Sequence, residues 1–423
     1  MHHFEYKNGV MHAEDCDLRE IARAAGTPFY CYSSATLTRH YRVFTEAFAG
    51  TESLVCFAMK ANSNQAVLRT LASLGAGMDV VSEGELRRAR AAGVPGSRIT
   101  FSGVGKTARE IALALDEDIL CFNVESEPEL RAISEIASQR GAKARISIRV
   151  NPDVDAKTHK KISTGKSENK FGIPISRARD VYREAAALPG LEVAGVDMHI
   201  GSQITDLAPF DDAFALLAEL VTVLRADGHN IRHADLGGGL GIPYREGEYP
   251  DSYHPARYAE IVKKRMHNLG CKLIFEPGRL LVGNAGILVT SVIYIKNGDG
   301  RTFVIVDAAM NDLIRPTLYD AHHDIKPVLL PERGFQPITV DIVGPVCETG
   351  DYLAQERLMP PVKPGDLLAV MTAGAYGAVQ AGTYNSRLLI PEIMVNGREW
   401  AIIRPRPGYD ALIGLDRIPS WLV

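Results

Sequence analysis

The sequence predicts an α/β fold in which a (β/α)8 TIM-type barrel is followed by a mainly antiparallel β domain. Two observations carry this expectation. From about residue 54 to 280, short apolar, β-branched runs alternate with longer amphipathic stretches, as in parallel strands joined by crossover helices. Beyond residue 281 the helical periodicity stops, and strand pairs with tight turns take over.

Eight runs read as strands: 54–58, 77–81, 98–102, 119–124, 144–150, 193–200, 233–236 and 273–276. Helical patterns fill most of the gaps, at 65–74, 83–92, 127–139, 175–187, 209–226 and 255–269. Pro128 falls where a first helical turn tolerates it. Eight strand-then-helix units over this length match a closed parallel barrel, with a doubly wound open sheet as the structural alternative. In the remainder, 287–296 and 301–306 flank Gly298-Asp299-Gly300 as a strand pair. Further β character follows at 367–372 and 388–395, and Asn396-Gly397 before 400–403 is a hairpin turn. The domains are therefore expected at 33–280 and 281–423, with 1–32, which opens on a hairpin at 4–10, adding N-terminal strands to the second.

Composition excludes several function classes. The chain has 423 residues, 46% of them hydrophobic and 23% charged, and a formal charge of -4, which gives no reason to expect nucleic acid as partner. No apolar run reaches the roughly 18 residues of a membrane span. The N-terminus lacks a signal-peptide layout, so a cytoplasmic protein is expected. The six cysteines are scattered without a C-x-x-C pair, which argues against zinc or disulfides and leaves no metal site expected. Most should be small buried hydrophobes, with Cys347 the exception.

Three motif-like stretches are set aside. Ser102–Thr107 resembles the end of a phosphate loop, but Thr100 stands where the pattern needs glycine. Gly237–Gly241 lacks the last glycine of a dinucleotide fingerprint. His229 and His233 are four apart, but His233 opens a strand-like run and there is no H-E-x-x-H, so the pair reads as a surface histidine near a turn rather than a metal site.

The chemistry gathers at the ends of the expected strands, where a barrel places its active site. Lys60 follows the first strand, Asp79 lies on the second, His199 and Ser202 end the sixth, Gly237, Gly238 and Gly239 end the seventh, and Glu276 and Arg279 end the eighth. A lone lysine or histidine in such a place is usually surface or scaffold. Together on one rim, these positions suit pyridoxal 5'-phosphate (PLP). The lysine supplies an amine for the aldehyde. The glycine turn with Ser202 offers N–H groups to the phosphate. A carboxylate at Glu276 keeps the pyridine nitrogen protonated, and His199 can stack on the ring.

Phe57–Asn62, His199–Gln203, Gly237–Gly239 and Glu276-Pro277-Gly278-Arg279 resemble the barrel motifs of the fold-type III PLP-dependent decarboxylases. Cys347–Asp351 and Ala373–Tyr376 extend the resemblance into the second domain. Within that group, 162–165 with Asn169–Gly172, and Cys347-Glu348, are similar to the diaminopimelate decarboxylase family. The resemblance implies decarboxylation of meso-2,6-diaminopimelate to L-lysine and CO2, the last step of lysine biosynthesis. It assigns Arg279, Arg315 and Tyr319 to the distal carboxylate and Glu348 to the distal ammonium. It adds Pro277, Gly278 and Tyr376 to the cofactor and substrate contacts, and makes Cys347 the proton donor. It also implies a homodimer with shared sites, the cysteine loop coming from the partner. Loop 157–172 has the Lys/Ser/Gly/Asn content of a mobile lid. The alternatives are a decarboxylase for ornithine, arginine or carboxynorspermidine, and a catalytically dead binding homologue. Alanine racemase shares the architecture, but Glu276 argues against it.

Overall fold

A computed structural model describes residues 2–156, 158, 162, 164–165, 169–248, 254–332 and 334–422. The expected lid loop at 157–172 lies partly outside the described residues. The chain divides into two compact units. One comprises 37–243 and 248–281, and the other 1–36, 244–247 and 282–423.

The first unit is a closed parallel barrel. Its strands are Ser53–Ala58, Gly77–Val80, Ile99–Phe101, Cys121–Val124, Ala144–Asn151, Leu191–Asp197, His233–Asp235 and Lys272–Phe275. They pair in chain order, and the eighth returns to the first with Ile274 opposite Leu54. Both faces of such a sheet are covered, so its strands read as continuous apolar runs. Met78, Ile99, Phe122, Ile146 and Ile274 are all fully buried. Outside the barrel, Phe44 from helix Ser34–Ala47 and Phe48 just beyond it meet Tyr258 and Phe275, with the Phe48 and Phe275 ring centroids 4.2 Å apart.

Side-chain caps start the helices after the strands. Asn64, Ser82 and Ser126 each accept a backbone N–H of the first turn. A helix missing from the sequence reading spans Ala108–Asp116, opened by a capping box between Thr107 and Glu110. Its cap lies inside the stretch set aside as a failed phosphate loop. There Lys106 is structural: its Nζ donates to Gly103 O, Asn123 O and Glu129 Oε1 at 2.8, 2.8 and 2.7 Å.

The second unit holds a mixed, mostly antiparallel sheet built on the long strand Gly286–Gly298. That strand pairs antiparallel with Arg301–Val306, Leu367–Val370 and the N-terminal strand Phe29–Ser33. Glu392–Asn396 and Glu399–Arg404 form the hairpin signalled by Asn396-Gly397. Phe4–Lys7 and Val10–Ala13 form a hairpin whose turn residues Asn8 and Gly9 have φ of 51° and 80°, the left-handed pair that matches strand twist. This hairpin joins Cys16–Asp17 in a separate three-stranded sheet. Phe4, Met11 and Ile21 share one core with Phe29, Ile287, Val289 and Ile393.

Candidate active site

In the barrel unit, the chain after the first strand tightens into a short turn, Met59–Ala61, that brings Lys60 to the strand end. Lys60 Nζ lies 3.3 Å from Asp79 Oδ2. Asp79 is placed by register, opposite Ala58 in the neighbouring strand, and its carboxylate is buried.

The sixth and seventh strand ends lock together. His199 Nδ1 accepts the N–H of Gly238 at 3.0 Å, which puts the ring proton on Nε2. Burial, then the charges of Arg149 and Lys60, hold the His199 pKa well below the usual imidazole range, so the ring is neutral. Gly237 N donates to Asp235 Oδ1 at 2.9 Å and Gly237 O accepts Glu276 N at 2.7 Å. Glycine is required here. A Cβ on Gly238 would sit 2.2 Å from the Glu276 carbonyl oxygen, and one on Gly239, which has φ +107°, would sit 2.4 Å from that of Gly201. The N–H groups of Gly237 and Gly238 are engaged within the protein, with Asp235 Oδ1 and His199 Nδ1. Close by, Ser202 Oγ accepts Arg279 Nη2 at 3.0 Å.

Glu276 is buried at the end of the eighth strand. Its Oε1 accepts hydrogen bonds from Thr100 Oγ1 and Asn123 Nδ2, both at 3.1 Å. Carboxylate oxygens of Glu276, Asp235 and Asp197 lie within 4.8 Å of one another. Burial, then the negative charge of Asp235, pushes the Glu276 carboxyl well above the ordinary range. Asp235 is raised to about 6, chiefly by burial. The buried oxygens Asp79 Oδ1 and Asp197 Oδ1 accept no hydrogen bond among the described residues. An acidic pocket with unused acceptors calls for a cationic or N–H-bearing guest. By spacing the trio would also grip a metal ion, but the neighbouring lysine and glycine cradle suit a protonated pyridine ring carrying an aldehyde and a phosphate.

Sequence reading missed Thr100, Asn123, Asp197 and Asp235, because each sits singly in an apolar run that reads as core. It also missed Arg149, which lies 3.2 Å from Glu125, donates to His199 O at 3.4 Å and stacks 4.9 Å from the Phe171 ring. His233, which opens the seventh strand as its run predicted, is buried, with Nε2 2.7 Å from Ser147 Oγ.

The other assigned residues gather in the second unit. Arg315 opens the short helix Arg315–Tyr319 and is itself buried. Tyr319 OH accepts Gln380 Nε2 at 3.5 Å. Cys347 is exposed, and its backbone N–H donates to Asn385 Oδ1 at 2.8 Å. The four cysteines Cys16, Cys31, Cys56 and Cys121 are buried and Cys271 is partly so. Asp351 fastens the cysteine loop, its carboxylate accepting the N–H groups of Val346 and Met310, each at 2.6 Å. Thr317 Oγ1 donates to Gly350 O, which ties the loop to the Arg315 helix. Glu348 lies against the Tyr384 phenol and raises its pKa by hydrogen bond and charge. Tyr376 takes φ +56°, a left-handed conformation unusual for a bulky residue.

Comparison with known proteins bears on both units. Residues 34–283 match the family model described as pyridoxal-dependent decarboxylase, pyridoxal binding domain. The diaminopimelate decarboxylase of Zymomonas mobilis is 50% identical over 422 residues, covering 99% of both chains. That of Vibrio cholerae is 50% identical over 420 residues, again covering 99% of each. Among solved structures, Helicobacter pylori diaminopimelate decarboxylase complexed with L-lysine superposes with a TM-score of 0.90 at 42% identity, covering 94% of this chain and 99% of that one.

Proposed function

Because this chain belongs to the diaminopimelate decarboxylase family of pyridoxal-dependent decarboxylases, we propose that it converts meso-2,6-diaminopimelate to L-lysine and CO2 as the last step of lysine biosynthesis. The observation that carries this reading is the pairing of Lys60 with Asp79 beside the buried Glu276, at neighbouring ends of parallel strands. When bound, PLP supplies the electron sink for the pair of electrons left on carbon as CO2 departs.

The residues divide the remaining work. Lys60 Nζ holds the cofactor aldehyde, and Asp79 keeps that amine at the strand end. Glu276, steadied by Thr100 and Asn123, would face the ring nitrogen and share a proton with it. Neutral His199, fixed by Gly238, would lie against the ring face. Gly239 N–H, Ser202 and the backbone of Pro277-Gly278-Arg279 would hold the phosphate, and the family resemblance adds Tyr376 to the cofactor contacts. Gly237 and Gly238 act as scaffold for that turn.

Arg279, Arg315 and Tyr319 take the substrate's distal carboxylate, and Glu348 its distal ammonium. Arginine suits the first task because its planar fork pairs with a carboxylate through two bonds. Substrates with no distal carboxylate would leave buried guanidinium charge unmatched, which disfavours ornithine or lysine as substrate. Cys347 Sγ gives its proton to the carbon that lost CO2, and an exposed thiol can regain one from solvent. The enzyme works as a cytoplasmic homodimer, with the Cys347 loop of one copy completing the site of the other. Among the described residues no helix is long and apolar enough to cross a membrane.

The test is incubation with PLP and meso-diaminopimelate, with L-lysine and CO2 quantified. Equimolar release is expected. Release of CO2 from ornithine, arginine or carboxynorspermidine at a higher kcat/KM would overturn the substrate assignment.

A further inference from the structure

His323 is fully buried in the second unit, and its two ring nitrogens meet groups of opposite kind. Its Nδ1 lies 2.8 Å from the carbonyl oxygen of Met371. A carbonyl only accepts, so Nδ1 carries the proton and Nε2 is left with a lone pair. That lone pair lies 2.8 Å from Nη1 of Arg315, a group that only donates. The backbone of one strand end therefore fixes the tautomer, and the tautomer turns the other nitrogen into an acceptor for guanidinium. On another side, the Arg315 guanidinium carbon lies 4.7 Å from the centroid of the Tyr244 ring. The Tyr244 and His323 rings meet edge to face, with an interplanar angle of 88° and centroids 5.4 Å apart.

From this geometry we infer that His323 is a positioning residue for substrate specificity: as a tautomer-locked acceptor, with Tyr244 as a stacking wall, it sets the plane in which Arg315 presents its fork to a carboxylate. The inference rests on the reading of Arg315 as a distal-carboxylate ligand. The physical need is plain. A long arginine side chain loses rotamer freedom when it binds, and that cost falls if the guanidinium is already oriented. A neutral imidazole acceptor does this without placing a rival negative charge on that nitrogen of Arg315. The ligand class selected is an amino acid whose remote end keeps its carboxylate. L-lysine retains that group, and cadaverine lacks it.

His323→Asn and His323→Gln separate the two ring contacts. The asparagine amide reaches the Nδ1 position and can donate to Met371 O, but falls short of Arg315. The glutamine oxygen reaches the Nε2 position and can accept from Arg315. The measurements, on PLP-loaded protein, are steady-state kinetics with meso-diaminopimelate and calorimetric affinity for L-lysine and cadaverine, with circular dichroism to verify folding. With His323→Asn, a rise of roughly tenfold in KM and in the L-lysine Kd is expected, kcat falling far less and cadaverine affinity moving little. His323→Gln should recover most of the loss. Equal losses for L-lysine and cadaverine, or an asparagine variant within twofold of the parent, would overturn the positioning role. Arg315→Met tests the underlying reading separately. If it leaves L-lysine affinity intact, the assignment of Arg315 fails. If it abolishes that affinity while His323→Asn does not change it, only the role of His323 fails.

Discussion

Replacing Lys106 by methionine should cost the barrel several kcal/mol and leave the chemistry of its rim alone. Lys106 and Glu129 have side chains 1% and 7% exposed, so this is a buried ion pair. The ammonium uses its three protons on Gly103 O, Asn123 O and Glu129 Oε1. Methionine fills similar volume but leaves one carboxylate and two carbonyls without that donor. Breaking a buried pair from one side typically costs about 3–5 kcal/mol, because the remaining charge is stranded. At roughly 2–4 °C per kcal/mol for a domain of this size, the melting temperature should fall by about 10 °C. The assay is thermal unfolding followed by circular dichroism, parent and variant at one scan rate. The double variant Lys106→Met with Glu129→Gln provides the control. Glutamine removes the stranded charge yet can still accept the Glu125 N–H that Glu129 Oε2 now takes at 2.9 Å. The double variant should therefore melt above the single one. A Lys106→Met protein within 2 °C of the parent, or a double variant no better than the single, would refute the reasoning. A variant that instead folds normally and loses phosphate-dependent cofactor binding would return Lys106 to the ligand role that the missing glycine at position 100 denied it.

Cys347→Ala should keep PLP affinity within about twofold and lower turnover by roughly 10²–10⁴, the usual worth of a placed general acid; near-normal turnover would remove the proton-donor role. Gly238→Ala drives a Cβ against the backbone of Glu276, so PLP affinity measured by fluorescence titration should drop at least about tenfold, and unchanged affinity would show that the strand end yields cheaply. His233 should make the protein acid-labile. Burial, then Arg232 and Lys272, lowers its pKa from 6.5 to about 4, so between those values the unfolded chain binds the extra proton and stability falls as pH falls. The span corresponds to about 3 kcal/mol. Urea unfolding of parent and His233→Gln at pH 7 and pH 4.5 should show a smaller loss in the variant, and equal losses would discount His233 as the cause.

Legibility in the sequence followed locality. All eight barrel strands were visible because a strand buried on both faces is mostly apolar, and hairpin turns announced themselves through Asn8-Gly9 and Asn396-Gly397. Strand ends were less clear. Thr372 was counted in a strand that stops at Val370, since its φ of +56° turns the chain away in a manner no residue type there advertises. The helix Ala108–Asp116 was passed over because its capping box overlaps a stretch that resembles a phosphate loop.

The acidic pocket shows the limit most clearly. Lys60, Glu276 and the glycine turn stand out in sequence because each is chemically odd beside an apolar strand. Thr100, Asn123, Asp197 and Asp235 are single polar letters in runs that are otherwise core, on the third, fourth, sixth and seventh strands. Nothing local says that their side chains converge, since convergence exists only once the eighth strand has paired with the first. Yet these residues set the electrostatics. Asn123 Nδ2 bonds to Ser102 Oγ and Glu276 Oε1, and lies at 3.5 Å from Asp235 Oδ2. Two amide protons and a threonine hydroxyl do not neutralise three neighbouring carboxyls, so the protein pays in raised carboxyl pKa values, as for Asp235 and Glu276. A fold under selection for stability alone would place apolar side chains there. Retaining the acids makes sense where a cationic ring completes the pocket, which is why the residues least visible in the sequence argue most strongly for what the visible ones hold.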